Sequence, residues 1–407
     1  MATAVGGRFA RSEMTWASYL LLGYFGYLQT VLGPVMPFLQ RDLHLSYGIA
    51  GLHFSAFAAG MVAAGLVGNR ASERWGRPLT FWGGAAGMAL GACALALGRQ
   101  VAVTVAGSGV MGLGGTLLLV TIQAVLAQEH GARRAQAVSE ANVLASVGSS
   151  LAALCVGVSA GLGLGWRATP LVAVGVLALL ALRFRKVALP ARPPTRASGR
   201  SPAGPLPPLF WAYWSAMILG VAAEWCVAYW GAAYLHRADG IATGTAATLM
   251  GLYLGATVAG RVVGSRLVRA VDSARLWAVA DGVALGGVLL FWRAPGGPLA
   301  VAGLCVAGLG IANLFPLALA TGLSLAPAQP DAASARLSLG AGLAILSAPL
   351  AVGALADHVG IGAAYGVVPI LLGGVGLLAL GANGRLSRQR TAGRRGVPAA
   401  RPVGDER

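Results

Sequence analysis

Charged residues are scarce in this chain of 407 residues, and acidic ones most of all. Lys, Arg, Asp and Glu make up 11% of the sequence, and only 13 residues are Asp or Glu. A soluble domain carries about 25% charged residues, so this composition excludes an ordinary soluble protein. Hydrophobic residues reach 57%, and apolar runs of about 20 residues, enough to cross a bilayer, recur from end to end. Few runs alternate polar and apolar residues, which argues against an outer-membrane barrel. The sequence therefore predicts an all-α membrane protein.

Motifs for catalysis and for cofactors are also missing. The four cysteines lie far apart inside apolar runs, with no C-x-x-C pair and no histidine at metal-ligand spacing. There is no H-E-x-x-H motif and no G-x-x-x-x-G-K-[ST] loop for ATP. We therefore expect no enzyme, no metal and no cofactor. The polar residues are also too sparse for the continuous polar lining of a channel.

The apolar runs predict twelve membrane-spanning helices in two bundles of six. The predicted spans are 15–38, 47–68, 79–98, 101–127, 137–161, 167–185, 209–235, 243–264, 275–292, 298–325, 333–356 and 361–382. Between the bundles, residues 186–208 are rich in Pro, Arg and Ser and are expected to form a semi-flexible linker. The predicted domains are a tail at 1–14, bundles at 15–185 and 209–385 around the linker, and a basic tail at 386–407.

The basic residues predict the orientation of these helices. The two tails and the even-numbered connections hold 25 of the 30 Lys and Arg residues, and the odd-numbered connections hold 5. Cytoplasmic loops carry an excess of Lys and Arg, so both termini are expected in the cytoplasm. A nucleic-acid partner is not expected despite the net charge of +17, because the charges occupy short gaps between apolar runs rather than one face of a domain. The expected surroundings are the lipid bilayer.

The turn after the second span carries a dense charged motif, G-N-R-A-S-E-R-W-G-R-P at 68–78. Its centre, Glu73 to Arg77, resembles the Asp-Arg-x-Gly-Arg core of the turn motif of the major facilitator superfamily, with Glu for Asp. Asn69 stands where that motif begins with Gly. A weaker copy follows the eighth span, and a third, 353–360, matches the G-x-L-A-D-x-x-G spelling at the outer end of the eleventh.

This resemblance covers roughly 15–385 and carries several implications. The fold would be that family's two pseudo-symmetric bundles, and the protein would be a monomeric secondary transporter in the bacterial cytoplasmic membrane. By position in the motif, the conformational latch would be formed by Glu73, Arg74, Gly76 and Arg77. The alternative for this turn is a solvated basic loop that only sets topology. Helices one, four, seven and ten would line a central cavity.

Glu224 is the outstanding ionisable residue at membrane depth. It lies about fifteen residues into the seventh span, near the bilayer midplane at 1.5 Å per residue, with no basic residue within a helical turn. A charged side chain there costs about 2.5–3.5 kcal/mol on insertion scales and is a functional candidate by default. Glu224 is therefore predicted to couple the protein to protons.

Aromatic and amide side chains on the spans that would line the cavity are candidates for solute contact. They are Tyr24, Tyr27, Gln29, Trp225, Tyr229, Trp230, Asn313 and Phe315. An aromatic cavity with one carboxylate would suit an organic solute with an apolar body and a polar or cationic group. The alternatives are an interfacial aromatic belt and, for Asn313, a contact between helices. Arg261 and Asp281, near the inner ends of spans eight and nine, are predicted to form a structural ion pair.

The expected function is proton-coupled movement of a small organic solute by alternating access. Drug or metabolite efflux by proton antiport, facilitative uniport and a non-transporting membrane sensor remain alternatives. Two departures weaken the antiporter alternative. Drug antiporters of the family often carry an arginine on helix four and a Gly-Pro pair in helix five, and this chain has Ser108 and Ala152–Ala153 at those places.

Overall fold

The computed structural model describes residues 9–190, 205–268, 270–294, 297–379 and 381. Across these residues the backbone forms helices and no strands. The α-helices are α1 Glu13–Leu43, α2 Tyr47–Pro78, α3 Gly84–Leu97, α4 Val101–His130, α5 Arg134–Gly161, α6 Ala168–Phe184, α7 Pro208–Arg237, α8 Thr243–Leu267, α9 Ser273–Arg293, α10 Gly297–Leu325, α11 Pro330–Ala364 and α12 Val367–Ala379. A π-helical segment, Leu79–Gly83, precedes α3, and a 3₁₀ turn, Gly131–Arg133, joins α4 to α5.

The helices confirm the prediction of an all-α membrane protein. In the described part of the chain, eight helical segments are long and apolar enough to cross a membrane, and one of them, Val101–Gly161, runs through both α4 and α5. The helices α6 and α12 are shorter and also apolar. Within the predicted linker, residues 191–204 lie outside the described residues, as do residues 1–8 and the whole predicted basic tail at 386–407.

Two helices run past their predicted ends through a glycine with left-handed backbone. The helix α2 continues to Pro78 across Gly76, whose φ is 79°, and α11 continues to Ala364 across Gly360, whose φ is 78°. A residue with a Cβ rarely adopts such a φ, so glycine is the residue that allows this bend. Each glycine stands three residues after an acidic one, Glu73 or Asp357. The motif at the α2–α3 turn and its copy in α11 thus share a backbone feature.

Close helix contacts fix the arrangement of α1–α6. A Cβ added to Gly148 on α5 would lie 2.0 Å from the carbonyl oxygen of Gly23 on α1, so the two backbones touch. In a bilayer, lipid is as apolar as the side chains, and small residues that permit such contact provide the packing energy. The N-terminus of α1 is capped by Ser12, whose hydroxyl accepts a hydrogen bond from the Thr15 N–H at 3.1 Å.

The helices α1–α6 meet α7–α12 mainly through three helix pairs, α2 with α11, α5 with α8, and α1 with α7. The tight contacts concentrate toward one end of the bundle, which we call the closed end and which holds the connections at 44–46, 162–167 and 238–242. A Cβ on Gly33 of α1 would lie 2.3 Å from the Ala228 oxygen of α7. We call the opposite end, at Gly76, Gly131 and Pro207, the open end.

Candidate functional site

A cavity of about 320 Å³ lies between the two groups of helices, lined by side chains of α1, α2, α4, α5, α7 and α8. Exposure along its wall falls toward the closed end. Gln123 and Asn142, nearest the open end, are exposed, whereas Tyr229 and Tyr253, nearest the closed end, are 1% exposed. The cavity therefore opens at the open end and is sealed at the closed end.

Glu224 lies on the wall of this cavity, opposite a basic residue of α8. Its Oε1 is 3.6 Å from Nη2 of Arg261, and the two side chains are 22% and 51% exposed. This separation is too long for a hydrogen bond and close enough for an ion pair. Glu224 is therefore not isolated, because the antiparallel α7 and α8 bring a distant arginine beside it.

The predicted ion pair between Arg261 and Asp281 is wrong. Asp281 lies on α9 and is 4% exposed, and its Oδ1 has no hydrogen-bond partner among the described residues. Its Oδ2 would lie 2.9 Å from a Cβ added to Gly376 of α12. The carboxylate thus faces α12, whereas Arg261 faces the cavity. The sequence suggested this ion pair because Arg261 and Asp281 lie at similar depth in the membrane. In the structure, however, the two side chains point to different sides of their helices.

Three other predicted candidates, Gln29, Trp225 and Tyr229, also line the cavity. The ring centroids of Trp225 and Tyr229 are 5.0 Å apart, and the ring of Tyr229 stacks on that of Phe54 of α2 at 4.1 Å. In the part of the chain that the structure describes, the buried hydroxyls of Tyr229 and Tyr253 have no hydrogen-bond partner. Two unsatisfied hydroxyls thus lie buried at the sealed end of the cavity.

The remaining predicted candidates lie outside the cavity lining. Tyr24 donates to the Ala85 oxygen at 3.4 Å, Tyr27 to the Thr169 oxygen at 3.0 Å, Trp230 to the Pro349 oxygen at 2.8 Å, and Asn313 to the Gly260 oxygen at 3.0 Å. Phe315 packs partly buried against the core. Each polar tip among them reaches a backbone carbonyl on another element, so these residues join helices in this conformation.

Several lining residues escaped the sequence prediction. Tyr253, Thr257 and Arg261 line the cavity from α8, and their spacing of four places them on one helix face. Asn142, Ser146 and Ser149 line it from α5 in the same way. Polar residues recurring at helical spacing within an apolar run are the signal that could have identified both rows.

The charged turn between α2 and α3 lies at the open end. Arg77 is buried, and its Nη1 donates to Oε1 of Gln128 at 2.5 Å and to the Pro190 oxygen at 2.9 Å. It thereby ties the turn to the end of α4 and to the segment after α6. Glu73 and Arg74 are exposed. The turn is thus anchored by Arg77, with Gly76 providing its bend.

A second charged contact joins the two groups of helices at the closed end. Asp357 of α11 accepts hydrogen bonds from the backbone N–H groups of Tyr47 at 2.6 Å and Gly48 at 2.8 Å. These are the first two residues of α2, where the helix dipole places partial positive charge. Nearby, the Ser55 hydroxyl of α2 donates to the Leu346 oxygen of α11 at 2.6 Å. The third copy of the motif therefore bridges α2 and α11.

The helical bundle and its central cavity define a multi-pass membrane protein of the transporter type. The sequence profile of the Major Facilitator Superfamily matches residues 18–334. The chain belongs to this superfamily, which confirms the resemblance seen in the α2–α3 turn. No curated protein sequence matches the chain.

Three solved structures of transporters share this fold. A bacterial homologue of the human lysosomal transporter Spinster, in an inward-facing and occupied conformation, has a TM-score of 0.76 at 15% identity, covering 93% of this chain and 98% of that one. The nucleoside transporter NupG gives 0.70 at 16% identity, covering 91% and 97%. A D-xylose–proton symporter gives 0.69 at 18% identity, covering 90% and 96%.

Proposed function

We propose that this protein is a secondary active transporter that moves a small organic solute across the bacterial cytoplasmic membrane, coupled to protons through Glu224. The observation that carries the proposal is a carboxylate on the wall of a cavity that lies between two groups of helices and is sealed at one end. Such a cavity suits alternating access, in which two bundles rock around a central site.

The proposed moving bodies are the bundles 15–185 and 209–385, joined by the linker 186–208. By the excess of basic residues in the tails and even-numbered connections, the open end faces the cytoplasm and the closed end faces outward. The solute would then reach the cavity from the cytoplasm in this conformation. The protein would act as a monomer, since each chain provides a complete cavity.

The ion pair gives Glu224 a way to couple protons to conformation. When ionised, it is stabilised by Arg261, which holds α7 and α8 together at the cavity wall. When protonated, it loses that attraction and leaves the guanidinium without a counter-ion. Protonation therefore changes the charge of the site at which solute binds, as coupling between two ligands requires.

Proton flux in liposomes tests this proposal. Purified protein is placed in vesicles holding a pH-sensitive dye, and sugars, organic acids, amines and drug-like cations are added in turn. We expect one class to trigger a pH change in wild type that is lost in Glu224→Gln, because the amide cannot exchange a proton. The sign of the change separates symport from antiport. The matched control is Glu13→Gln, which removes an exposed carboxylate paired with Arg183. Solute movement without any pH change in wild type would refute proton coupling.

The α2–α3 turn is proposed to act as a latch whose contacts differ between conformations. Glu73→Gln should therefore change the rate of transport by severalfold while the affinity for solute stays nearly constant, since Glu73 lies at the open end of the bundle and not on the cavity wall. Initial rates of uptake into vesicles over a range of solute concentrations separate the two quantities. A large loss of affinity at a normal maximal rate would contradict the latch and favour the solvated loop.

A further inference from the structure

We infer that the transported solute carries a carboxylate, which takes the place of Glu224 at the guanidinium of Arg261 when Glu224 is protonated. The inference deepens the proposed function and rests on it, because it assigns the class of solute to the same cavity.

The cavity wall carries two charged side chains, and only one of them changes its protonation state. Among the described lining residues, Arg261 is the one cation and Glu224 the one carboxylate. The other titratable residues of the lining are Tyr253 of α8 and Tyr229 of α7, and the lining residues from α1, α2, α4 and α5 are uncharged. Arginine stays protonated in proteins, so only Glu224 switches. The charge of the lining therefore alternates between zero and +1 and never becomes negative.

This alternation favours an anionic solute over a cationic one. With Glu224 ionised, a cation would have to bind beside Arg261, which lies 3.6 Å from the carboxylate. With Glu224 neutral, Arg261 is a half-exposed cation without a counter-ion, a state that costs free energy inside a protein. A carboxylate on the solute supplies the missing charge. The solute expected from the sequence, with a polar or cationic group, was inferred without Arg261 in the cavity wall.

The geometry of Arg261 leaves room for such a group. Over the described residues its guanidinium makes no hydrogen bond, and its contact with Glu224 is longer than a hydrogen bond. Its N–H groups form a planar fork that matches a carboxylate with two parallel bonds. A phosphate monoester, with about −1.5 to −2 charges at neutral pH, would exceed the single positive charge available. The site therefore suits a monocarboxylate.

The other lining residues indicate the chemistry of the rest of the solute. Trp225, Phe25 and Leu119 provide apolar surface, and the carboxamides of Gln29 and Gln123 provide neutral polar groups. Tyr253, whose hydroxyl is unsatisfied, lies two turns of α8 deeper than Arg261, so the two backbone positions are about 12 Å apart along the helix axis at 1.5 Å per residue. An acid with an apolar or aromatic body and a polar substituent suits this lining.

Binding of matched compounds to the purified full-length protein tests the inference. The probes are 3-phenylpropionate, its neutral amide and the corresponding amine, each with and without a para-hydroxyl group, and binding is followed by thermal shift at acidic and alkaline pH. We expect the acid to bind at least tenfold more tightly than amide or amine, and only at acidic pH. Glu224→Gln should bind the acid at both pH values, because its side chain imitates the protonated state. In liposomes, proton and monoanion together carry no net charge, so the transport rate should not respond to membrane potential.

Variants of Arg261 decide the outcome. Arg261→Gln should lower the affinity for the acid about tenfold or more, and Arg261→Lys should retain part of that affinity. The control is Arg275→Gln, which changes an exposed arginine on α9 and should bind the acid as wild type does. Tyr253→Phe should remove any preference for the para-hydroxyl acid. Preference for the amine or amide, absence of binding by every probe at millimolar concentration, or full binding in Arg261→Gln would overturn the inference. Proton-coupled transport of a neutral or cationic solute would overturn this inference and leave the proposed function intact.

Discussion

Gly157→Leu is expected to reduce transport at least tenfold while the protein remains folded. Gly157 lies on α5 where α5 packs against α8 at the closed end. A Cβ at this position would lie 1.8 Å from Oγ1 of Thr248 and 2.7 Å from the carbonyl oxygen of Gly244. A leucine side chain cannot fit there, so α5 and α8 must move apart. These helices belong to different groups, and their separation opens the closed end.

The effect should be large because it acts on a two-state equilibrium. Reversing a population from 1:99 to 99:1 needs about 5.5 kcal/mol, and insertion of methylene groups into a packed contact costs about 1–3 kcal/mol or occasionally more. Here the clash involves backbone and a branched side chain, which have little freedom to yield. In the alternative conformation of a transporter this contact is broken, so the variant has a folded state available. We therefore expect at least a tenfold loss of transport without loss of folded protein.

Distances between spin labels measure this change directly. Labels at Leu164 and Ala238, which are exposed at the closed end on different groups of helices, are introduced after the four native cysteines have been replaced. Double electron–electron resonance should show a longer distance in Gly157→Leu than in wild type. The control is Gly161→Leu, one turn further along α5, where an added Cβ would meet nothing within 4 Å. Wild-type transport in Gly157→Leu, or equal effects of the two variants, would contradict the prediction.

The sequence predicted the helices and singled out Glu224 as a candidate for the same physical reason. In a bilayer, apolar length and the cost of a buried charge act on each segment by itself, so both can be derived from local composition. The partner of Glu224 depends on how α8 is rotated about its axis. Arg261 lies near the inner end of α8, where it could face lipid headgroups, Asp281 or the cavity, and composition does not distinguish these directions. Packing of α8 against α7 decides between them.

The aromatic candidates show the same limit of sequence-based prediction, because the sequence does not reveal which side of a helix faces the cavity. Trp225 and Trp230 are close together on α7, and their spacing places them on different faces of the helix. The first lines the cavity, whereas the second donates a hydrogen bond to Pro349 of α11. An indole N–H in an apolar surrounding needs a partner, and the sequence does not reveal whether a backbone carbonyl will be within reach. Aromatic composition therefore predicted which segment of α7 contributes to the cavity better than it predicted which residues of that segment line it.

The motif copy in α11 was visible in the sequence, but its contact was not. The motif at 353–360 contains an acidic residue and, three positions later, a glycine, as at the α2–α3 turn. Which backbone its carboxylate would meet depends on the approach of α11 to α2, two helices far apart in the chain. The structure shows that Asp357 caps the first turn of α2, so a charged contact joins the two groups of helices at the closed end.

Asp357→Ala is expected to release the closed end. The carboxylate accepts two hydrogen bonds from the N-terminal N–H groups of α2, at 2.6 and 2.8 Å, and interacts favourably with the helix dipole. Hydrogen bonds to charged groups contribute about 1.5–3 kcal/mol, and exposure at the end of the bundle reduces that value through solvent screening. A net loss of about 1–2 kcal/mol would change the ratio of closed to open forms about 5–30-fold. Unlike Gly157→Leu, this variant removes an attraction and adds no clash, so both conformations remain accessible.

The label pair at Leu164 and Ala238 should therefore report two populations in Asp357→Ala, one at the wild-type distance and one at the distance found in Gly157→Leu. Asp357→Asn should fall between wild type and alanine, because its amide oxygen still accepts one hydrogen bond without the charge. His358→Ala, at the exposed neighbouring position, is the control. A distance distribution unchanged by Asp357→Ala, or changed equally by His358→Ala, would exclude this carboxylate as a contact that holds the closed end. If the second population does appear, Asp357 stabilises the conformation in which the closed end is shut, through its contact with the first turn of α2.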